Sequence, residues 1–390
     1  MIRENFLILQ KNIIYFDSSA TTLKPYQVVN KITEYYNEYS SNVLRGDYNI
    51  AYKADLEYEK AREKVKKFIN SKEEIIFTKN TTDSINIIVN SYLKKILKPK
   101  DEILISKTEH SSNILPFFNL KNKVNYITLN ENFEITLENL KKSITKNTKI
   151  ISIAHVTNTI GDERNIKEII KLAHENNVLV LIDAAQSIST IKTDVEELDV
   201  DFLVFSSHKM FGPNGVGVLY SKYIKDFEVY NYGGGITTKF NSKKEVSYKD
   251  IPFLLEAGTP NIEGVIGLGE AIEFINQKGI LNMRDYIKDL KQYCVKKLKT
   301  IKDIEIYNEN VEGYTVLFNK KNIFSQDLAE YLNKKNICIR VGDHCAKLLK
   351  EVLNVNNTCR ISFQIYNIKE EIDILINALK EEDILKKSLL

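Results

Sequence analysis

Lys209 stands where the apolar run of "DFLVFSSHKMFGPNGVGVLY" ends, although lysine is among the residues least often placed against a core. It has company of a consistent kind. Thr81 and Thr82 follow "EEIIFTKN", Glu109, His110 and Asn113 follow "DEILISKT", and His155 and Asn158 close "KIISIAHVTN". Asp183 and Gln186 close "VLVLIDAAQ", and Ser206, His208 and Lys209 close "VDFLVFSSHK". Singly, each has an ordinary structural explanation: an Asp after a strand caps a helix, and Thr-Thr-Asp is a good helix start anywhere. Together they supply an amine, a carboxylate, imidazoles, and hydroxyls beside a helix N-terminus.

That combination is the one pyridoxal 5'-phosphate requires. A lysine amine forms a Schiff base with the aldehyde and exchanges with a substrate amine, which needs a partly desolvated amine, and Lys209 fits that role. A carboxylate facing the pyridine nitrogen keeps the ring an electron sink; Asp183, after a run of aliphatic residues, suits that place. A phosphate dianion wants the amides of a helix N-terminus with hydroxyls beside them, which Thr81 and Thr82 provide, with Ser206 and His208 to complete the cradle.

The elements needed to hold these residues are legible as periodicity. "PYQVVNKITEYYNEYSS" and "KADLEYEKAREKVKKFIN" place apolar residues at helical spacing, so each predicts an amphipathic helix. From there, short Val/Ile/Leu runs alternate with helical patterns: "EEIIFTKN", "DEILIS", "NYITL", "KIISIAHV", "VLVLIDAA" and "VDFLVFSS". Continuous apolar strands between helices predict an α/β fold with a mostly parallel sheet covered on both faces, whose ligand lies beyond the carboxyl ends of the strands. After about residue 270 the helices lengthen and the strands shorten. The expected division is a large α/β domain over 16–270 and a smaller α+β domain over 271–390, joined by residues 1–15.

Composition narrows the class. The 390 residues are 43% hydrophobic and 27% charged, which fits a globular protein large enough for two cores. A net charge of +3, from 55 basic and 52 acidic side chains spread along the chain, suggests no nucleic-acid partner. None of the four cysteines has zinc-type spacing, so no metal is expected and a reduced, cytoplasmic setting fits. "MIRENFLILQKN" reads as neither a signal peptide nor a membrane span.

"IDAAQS" followed by "FSSHKMFGPNGVGVLY" resembles the cofactor core of class V, fold-type I pyridoxal phosphate enzymes, and in particular the group II cysteine desulfurases and selenocysteine lyases of SufS/CsdA type. "YFDSSATTLKP", "NVLRGDYNIA", "TEHSSNILPF", "AHVTNTIGD", "EAGTPN", "RVGDHCA" and "CRISFQIYN" match in the family's order. The fold implied is a large domain with a seven-stranded type of sheet beside the smaller α+β domain. The resemblance implies that Lys209 holds the cofactor, Asp183 pairs with the pyridine nitrogen, Gln186 donates to the ring hydroxyl, and His110 stacks on the ring and assists proton transfer. Thr81, Thr82, Ser206 and His208 would bind phosphate, and Asn158 would lie near substrate and cofactor. Thr259 would reach the phosphate of a neighbouring subunit in a homodimer, and Arg360 would grip the substrate carboxylate.

Cys345 occupies the place of the family's mobile cysteine, whose thiolate attacks the substrate sulfur; a nearby cation such as Arg340 or His344 would serve it. Cys294, Cys338 and Cys359 lie in apolar patterns and read as buried structural cysteines. The implied activity converts L-cysteine to L-alanine, with a persulfide on Cys345 passed to an acceptor of SufE or SufU type for iron–sulfur cluster assembly. Selenocysteine as substrate, another class V aminotransferase or lyase reaction, and a non-catalytic scaffold in sulfur transfer remain open alternatives. Tyr48 and Asp343 stand where the family carries histidines, Ser207 and Asn80 where it carries glycines, and these departures bear on substrate choice and thiol reactivity.

Overall fold

The computed structural model describes residues 2–382 and Ile384. Its centre is a seven-stranded sheet of β2 (Ile75–Thr78), β3 (Glu102–Ile105), β4 (Lys123–Tyr126), β5 (Thr148–Ala154), β6 (Leu179–Asp183), β7 (Phe202–Ser206) and β8 (Gly217–Ser221), in the order β2-β8-β7-β6-β5-β3-β4. A shorter strand, β1 (Ile14–Tyr15), precedes them in the chain. Strands β3 to β7 run parallel to their neighbours among themselves, as the continuous apolar runs predict. β8 is antiparallel to both β2 and β7. The short return from Lys209 to Gly217 explains this, since a parallel partner would need a long crossover.

Successive side chains leave a strand on opposite faces. Val180, Ile182, Leu203 and Phe205 therefore enter one apolar cluster, and Leu181, Phe202 and Val204 enter the other. Both faces are dry, which is why these strands show no polar alternation. Helices Asn49–Phe68 and Ile262–Lys278 lie together on one side. Gly269 permits their close approach, because a Cβ there would sit 2.9 Å from the Cβ of Ala61.

A hairpin of β9 (Thr237–Phe240) and β10 (Val246–Tyr248) stands apart from this sheet. Toward the C-terminus, β11 (Ile304–Ile306), β12 (Thr315–Lys320), β14 (Arg340–Gly342) and β15 (Thr358–Ser362) form an antiparallel sheet in the order β11-β12-β15-β14. The remaining strand, β13 (Ile337–Cys338), pairs in parallel with β1. The Phe16 carbonyl accepts the Ser362 amide at 2.7 Å, so the segment after β1 abuts β15. This contact brings the ends of β5, β6 and β7 against the loop that follows β14.

Candidate active site

Lys209 ends a single 3-10 turn, Ser207–Lys209, directly after β7. Asp183 is the last residue of β6, one strand away, and is 6% exposed. Both line a cavity of about 280 Å³ at the carboxyl ends of the strands. Burial pushes the Asp183 carboxyl up to about 6, opposed by the Lys209 charge and by the Ala185 amide, which donates to Oδ1 at 2.9 Å. Burial likewise lowers the Lys209 ammonium, partly countered by Asp183. The pair is therefore a desolvated amine facing a carboxylate.

At one end of the cavity the helix Thr81–Ile88 begins, capped by Asn80, whose side chain accepts the Asp83 amide at 3.0 Å. Ser206 Oγ accepts the Thr81 amide at 2.8 Å and lies 2.7 Å from Thr81 Oγ1. Gly217 makes this junction possible, since a Cβ there would lie 2.6 Å from the Asn80 backbone. Thr82 Oγ1 is 2.6 Å from Ser112 Oγ. Helix N-terminus, hydroxyls and His208 thus collect at one end, a set suited to a phosphate.

His110 forms part of the adjacent wall. Its Nδ1 accepts the Ser112 amide at 3.1 Å, which leaves Nε2 to carry the proton of the neutral ring. Burial, reinforced by the charges of Lys209, Arg340 and Arg360, pushes its pKa down to about 3. His208 is pushed down to about 4, chiefly by burial. Both rings are uncharged at neutral pH.

Opposite lies Arg360, 1% exposed, in the interior of β15. Its Nη1 donates to the Asn158 carbonyl at 2.9 Å and its Nη2 to Asp17 Oδ1 at 2.6 Å. Three buried polar atoms among the lining residues have no partner: Arg360 Nε, Asn158 Oδ1 and His344 Nδ1. A buried donor and a buried acceptor left open at a cavity mark it as a place for a polar ligand.

Cys345 enters from the loop after β14. Gly342, His344 and Cys345 all have positive φ, the last two at 52° and 57°, a region non-glycine residues seldom occupy. Side chains hold the loop there. Asp343 Oδ1 accepts the Cys345 amide at 3.0 Å, Asn158 Nδ2 donates to the His344 carbonyl at 2.8 Å, and the Ser111 amide and hydroxyl both donate to the Cys345 carbonyl at 2.7 Å. Arg340 Nη2 points at Cys345 Sγ from 3.8 Å, placing positive charge beside the sulfur. His344 gives the sulfur no such help. Its Nε2 lies 2.8 Å from Thr358 Oγ1, and burial pushes its pKa down to about 3, so the ring is neutral and turned aside.

The cavity therefore brings together Thr81, Thr82, His110, Asn158, Asp183, Ser206, His208, Lys209, Cys345 and Arg360. Two expected residues lie elsewhere. The Gln186 side chain donates to the Ser19 carbonyl at 2.9 Å, and Thr259 is exposed, lining a separate cleft with Glu256 and Asn261. Tyr48 is likewise exposed, its hydroxyl 3.0 Å from Ser41 Oγ. Glu109 and Asn113 are structural: Glu109 pairs with buried Arg164 and accepts from Asn113 and from the Ala154 amide. Cys294 and Cys359 are buried as expected, whereas Cys338 is only half-buried, because β13 pairs on one side with the two-residue β1. Sequence reasoning missed Asp17, the partner of Arg360, and Ser112, the partner of His110; "FDSSATT" offers no spacing that ties residue 17 to residue 360.

The aminotransferase class-V family model matches residues 14–375. The chain is 38% identical over 393 residues to a probable cysteine desulfurase of Halalkalibacterium halodurans, covering 97% of each chain. It is 39% identical over 381 residues to a probable cysteine desulfurase of Staphylococcus aureus, covering 95% of this chain and 92% of that one. The fold superposes on a cysteine desulfurase from Thermococcus onnurineus with a TM-score of 0.92 at 33% identity, and on the cysteine desulfurase CsdA from Escherichia coli with 0.90 at 31%; each covers 99% of this chain and 97% of the other.

Proposed function

The chain belongs to the aminotransferase class-V family, and on that premise we propose that it is a pyridoxal-phosphate-dependent cysteine desulfurase, converting L-cysteine to L-alanine and holding the sulfur as a persulfide on Cys345. The observation that carries this reading is one cavity lined by a desolvated lysine, a buried carboxylate and a cysteine, with a buried arginine in its wall. The open atoms Arg360 Nε and Asn158 Oδ1, and the hydroxyl-lined helix N-terminus, support a polar, phosphate-bearing cofactor there.

When bound, pyridoxal phosphate supplies an electron-withdrawing ring that acidifies the Cα–H of an attached amino acid. Asp183 would hold the charge on the ring nitrogen, Thr81, Thr82, Ser206 and His208 would hold the phosphate, and the neutral His110 would lie beside the ring. Lys209 Nζ would hold the aldehyde and, as a desolvated amine, would be the base for the Cα proton. The Arg360 fork orients the substrate carboxylate. Cys345 Sγ then attacks the substrate sulfur: the Sγ–S bond forms, the Cβ–S bond breaks, and its electron pair stays on Cβ, which gains a proton to become the methyl of alanine. Arg340 Nη2, 3.8 Å from Sγ, places positive charge beside the attacking sulfur.

Thr259 makes no contribution to this cavity within one chain, which supports a homodimer in which it serves the phosphate of the partner subunit. Residues 1–15 belong with the smaller domain, a reading supported by Arg3, which donates to Glu371 at 2.7 Å and to the Tyr366 carbonyl at 2.6 Å. A protein acceptor of SufE or SufU type takes the persulfide sulfur towards iron–sulfur assembly, in a reducing cytoplasm consistent with four free cysteines. The test is product analysis: with L-cysteine and a thiol reductant, alanine and sulfide must appear in equal amounts, and alanine without sulfide would remove the desulfurase reading.

A further inference from the structure

We propose that Thr21, Thr22 and Lys24 form a clamp that positions Lys209 by fixing the peptide that precedes it and, two residues further on, the Phe211 amide. The carbonyl of His208, in the peptide that joins it to Lys209, accepts from four donors. They are the Thr22 amide at 3.0 Å, Thr21 Oγ1 at 3.0 Å, Thr22 Oγ1 at 3.1 Å and Lys24 Nζ at 2.9 Å. A carbonyl oxygen has two lone pairs, so this one is engaged beyond its ordinary capacity and held from several directions at once. On the other side of Lys209, Thr22 Oγ1 accepts the Phe211 amide at 2.7 Å. Phe211 has φ 67°, a conformation a bulky aromatic residue adopts only under restraint. Thr22, 2% exposed, therefore grips the chain both before and after Lys209.

Lys24 is costly to place there. Its other partners are the Thr22 carbonyl at 2.6 Å and Thr21 Oγ1 at 3.2 Å. Every hydrogen-bond partner of its ammonium is thus a neutral oxygen, and among the described residues no carboxylate lies within ion-pair distance. Burial pushes its pKa down to about 7. A half-buried ammonium held only by neutral acceptors is an unfavourable arrangement that simple packing does not require. The segment is itself anchored, since Tyr15 Oη donates to the Thr21 carbonyl at 2.9 Å. With the chain held just before Lys209 and again at Phe211, the Lys209 Cα is fixed at the cavity that its side chain lines, and a fixed approach raises the rate of bond formation without adding affinity.

This inference rests on the reading that Lys209 bonds the cofactor, and its test separates the two. Cofactor-free protein, native and with Lys24→Met, Lys24→Arg or Thr21→Val, is mixed with pyridoxal phosphate. The rate at which the visible band appears and the pH midpoint of that band are recorded, and borohydride reduction with peptide mapping identifies the lysine bonded. Affinity for pyridoxine phosphate, which lacks the aldehyde, reads the phosphate cradle alone. The clamp predicts that Lys24→Met and Thr21→Val slow band formation about tenfold, as loss of one such hydrogen bond would. It also predicts a shifted pH midpoint, partial rescue by Lys24→Arg, and unchanged pyridoxine phosphate affinity. Band formation at the native rate with the native midpoint, or parallel losses for both ligands, overturns the clamp while Lys209 remains the bonded residue. Mapping of the native protein to another lysine overturns the underlying reading instead. If Lys24→Met does not fold, Thr21→Val decides the matter alone.

Discussion

Replacing Arg360 by lysine tests the proposed recognition of the substrate carboxylate. Arg360 spends Nη1 on the Asn158 carbonyl and Nη2 on Asp17, and keeps Nε open on a buried wall of the cavity. A carboxylate can take the open Nε and displace or share Asp17 at Nη2, giving two charge-assisted bonds from one rigid fork. Lysine keeps the charge and loses the fork. At ~1.5–3 kcal/mol for a hydrogen bond to a charged group, loss of one bond corresponds to a fall of about 10–150-fold in kcat/KM for L-cysteine. The assay is alanine formation from L-cysteine and from L-cysteine methyl ester, which presents no carboxylate. The native enzyme should strongly prefer the acid, and Arg360→Lys should lose activity on the acid while changing little on the ester. Equal losses on both substrates, or none on either, would refute the assignment.

The same geometry sets three further expectations. Ser206→Ala removes the acceptor of the Thr81 amide and a donor at the phosphate end, so pyridoxal phosphate affinity by equilibrium dialysis should weaken about tenfold while Lys209 still bonds the cofactor. Glu109→Gln strips the buried Arg164 of one of its two carboxylate partners while Asp162 stays at 2.9 Å, and urea denaturation should show a loss of about 1–3 kcal/mol, the cost of weakening one buried charged hydrogen bond. His110, His155, His208 and His344 are held at about 3, 4, 4 and 3, below an ordinary 6.5, so the unfolded chain binds more protons as pH falls from about 6.5 to about 4. Stability is therefore full above that window and lost on acidification, by up to ~1.4 kcal/mol per pH unit for each histidine. Asp183, raised to about 6, acts in the opposite direction and offsets one of them. Urea midpoints of the cofactor-free protein at decreasing pH should fall accordingly, and a flat profile would contradict the burial of these rings.

Much of the site was legible because an α/β sheet places residues by a simple rule. Once "VLVLID" and "VDFLVFSSHK" read as buried strands, Asp183 and Lys209 had to emerge at the same edge. Local sequence also announced the helix start at Thr81. Contacts across the chain were not legible. Glu109 stood among the candidate site residues until Arg164, brought back by the turn after β5, showed it to be structural. Asp17 and Arg360 meet only because β1 and its continuation abut β15. The direction of β8 was hidden for a similar reason, since an apolar run carries no sign of its polarity within a sheet. The hairpin of β9 and β10 was hidden too, because its mostly exposed residues lack a buried face to impose alternation.

Desulfuration through Cys345 turns on the fate of one sulfur atom. Native protein and Cys345→Ala, each loaded with pyridoxal phosphate and mixed briefly with L-cysteine in the absence of reductant, should be compared by intact and peptide mass. The proposed chemistry predicts one added sulfur on the Cys345 peptide of the native protein, alanine in equal amount, and no added sulfur in the variant although its visible band persists. Added sulfur on another cysteine, or alanine and sulfide formed as readily by Cys345→Ala, would contradict it.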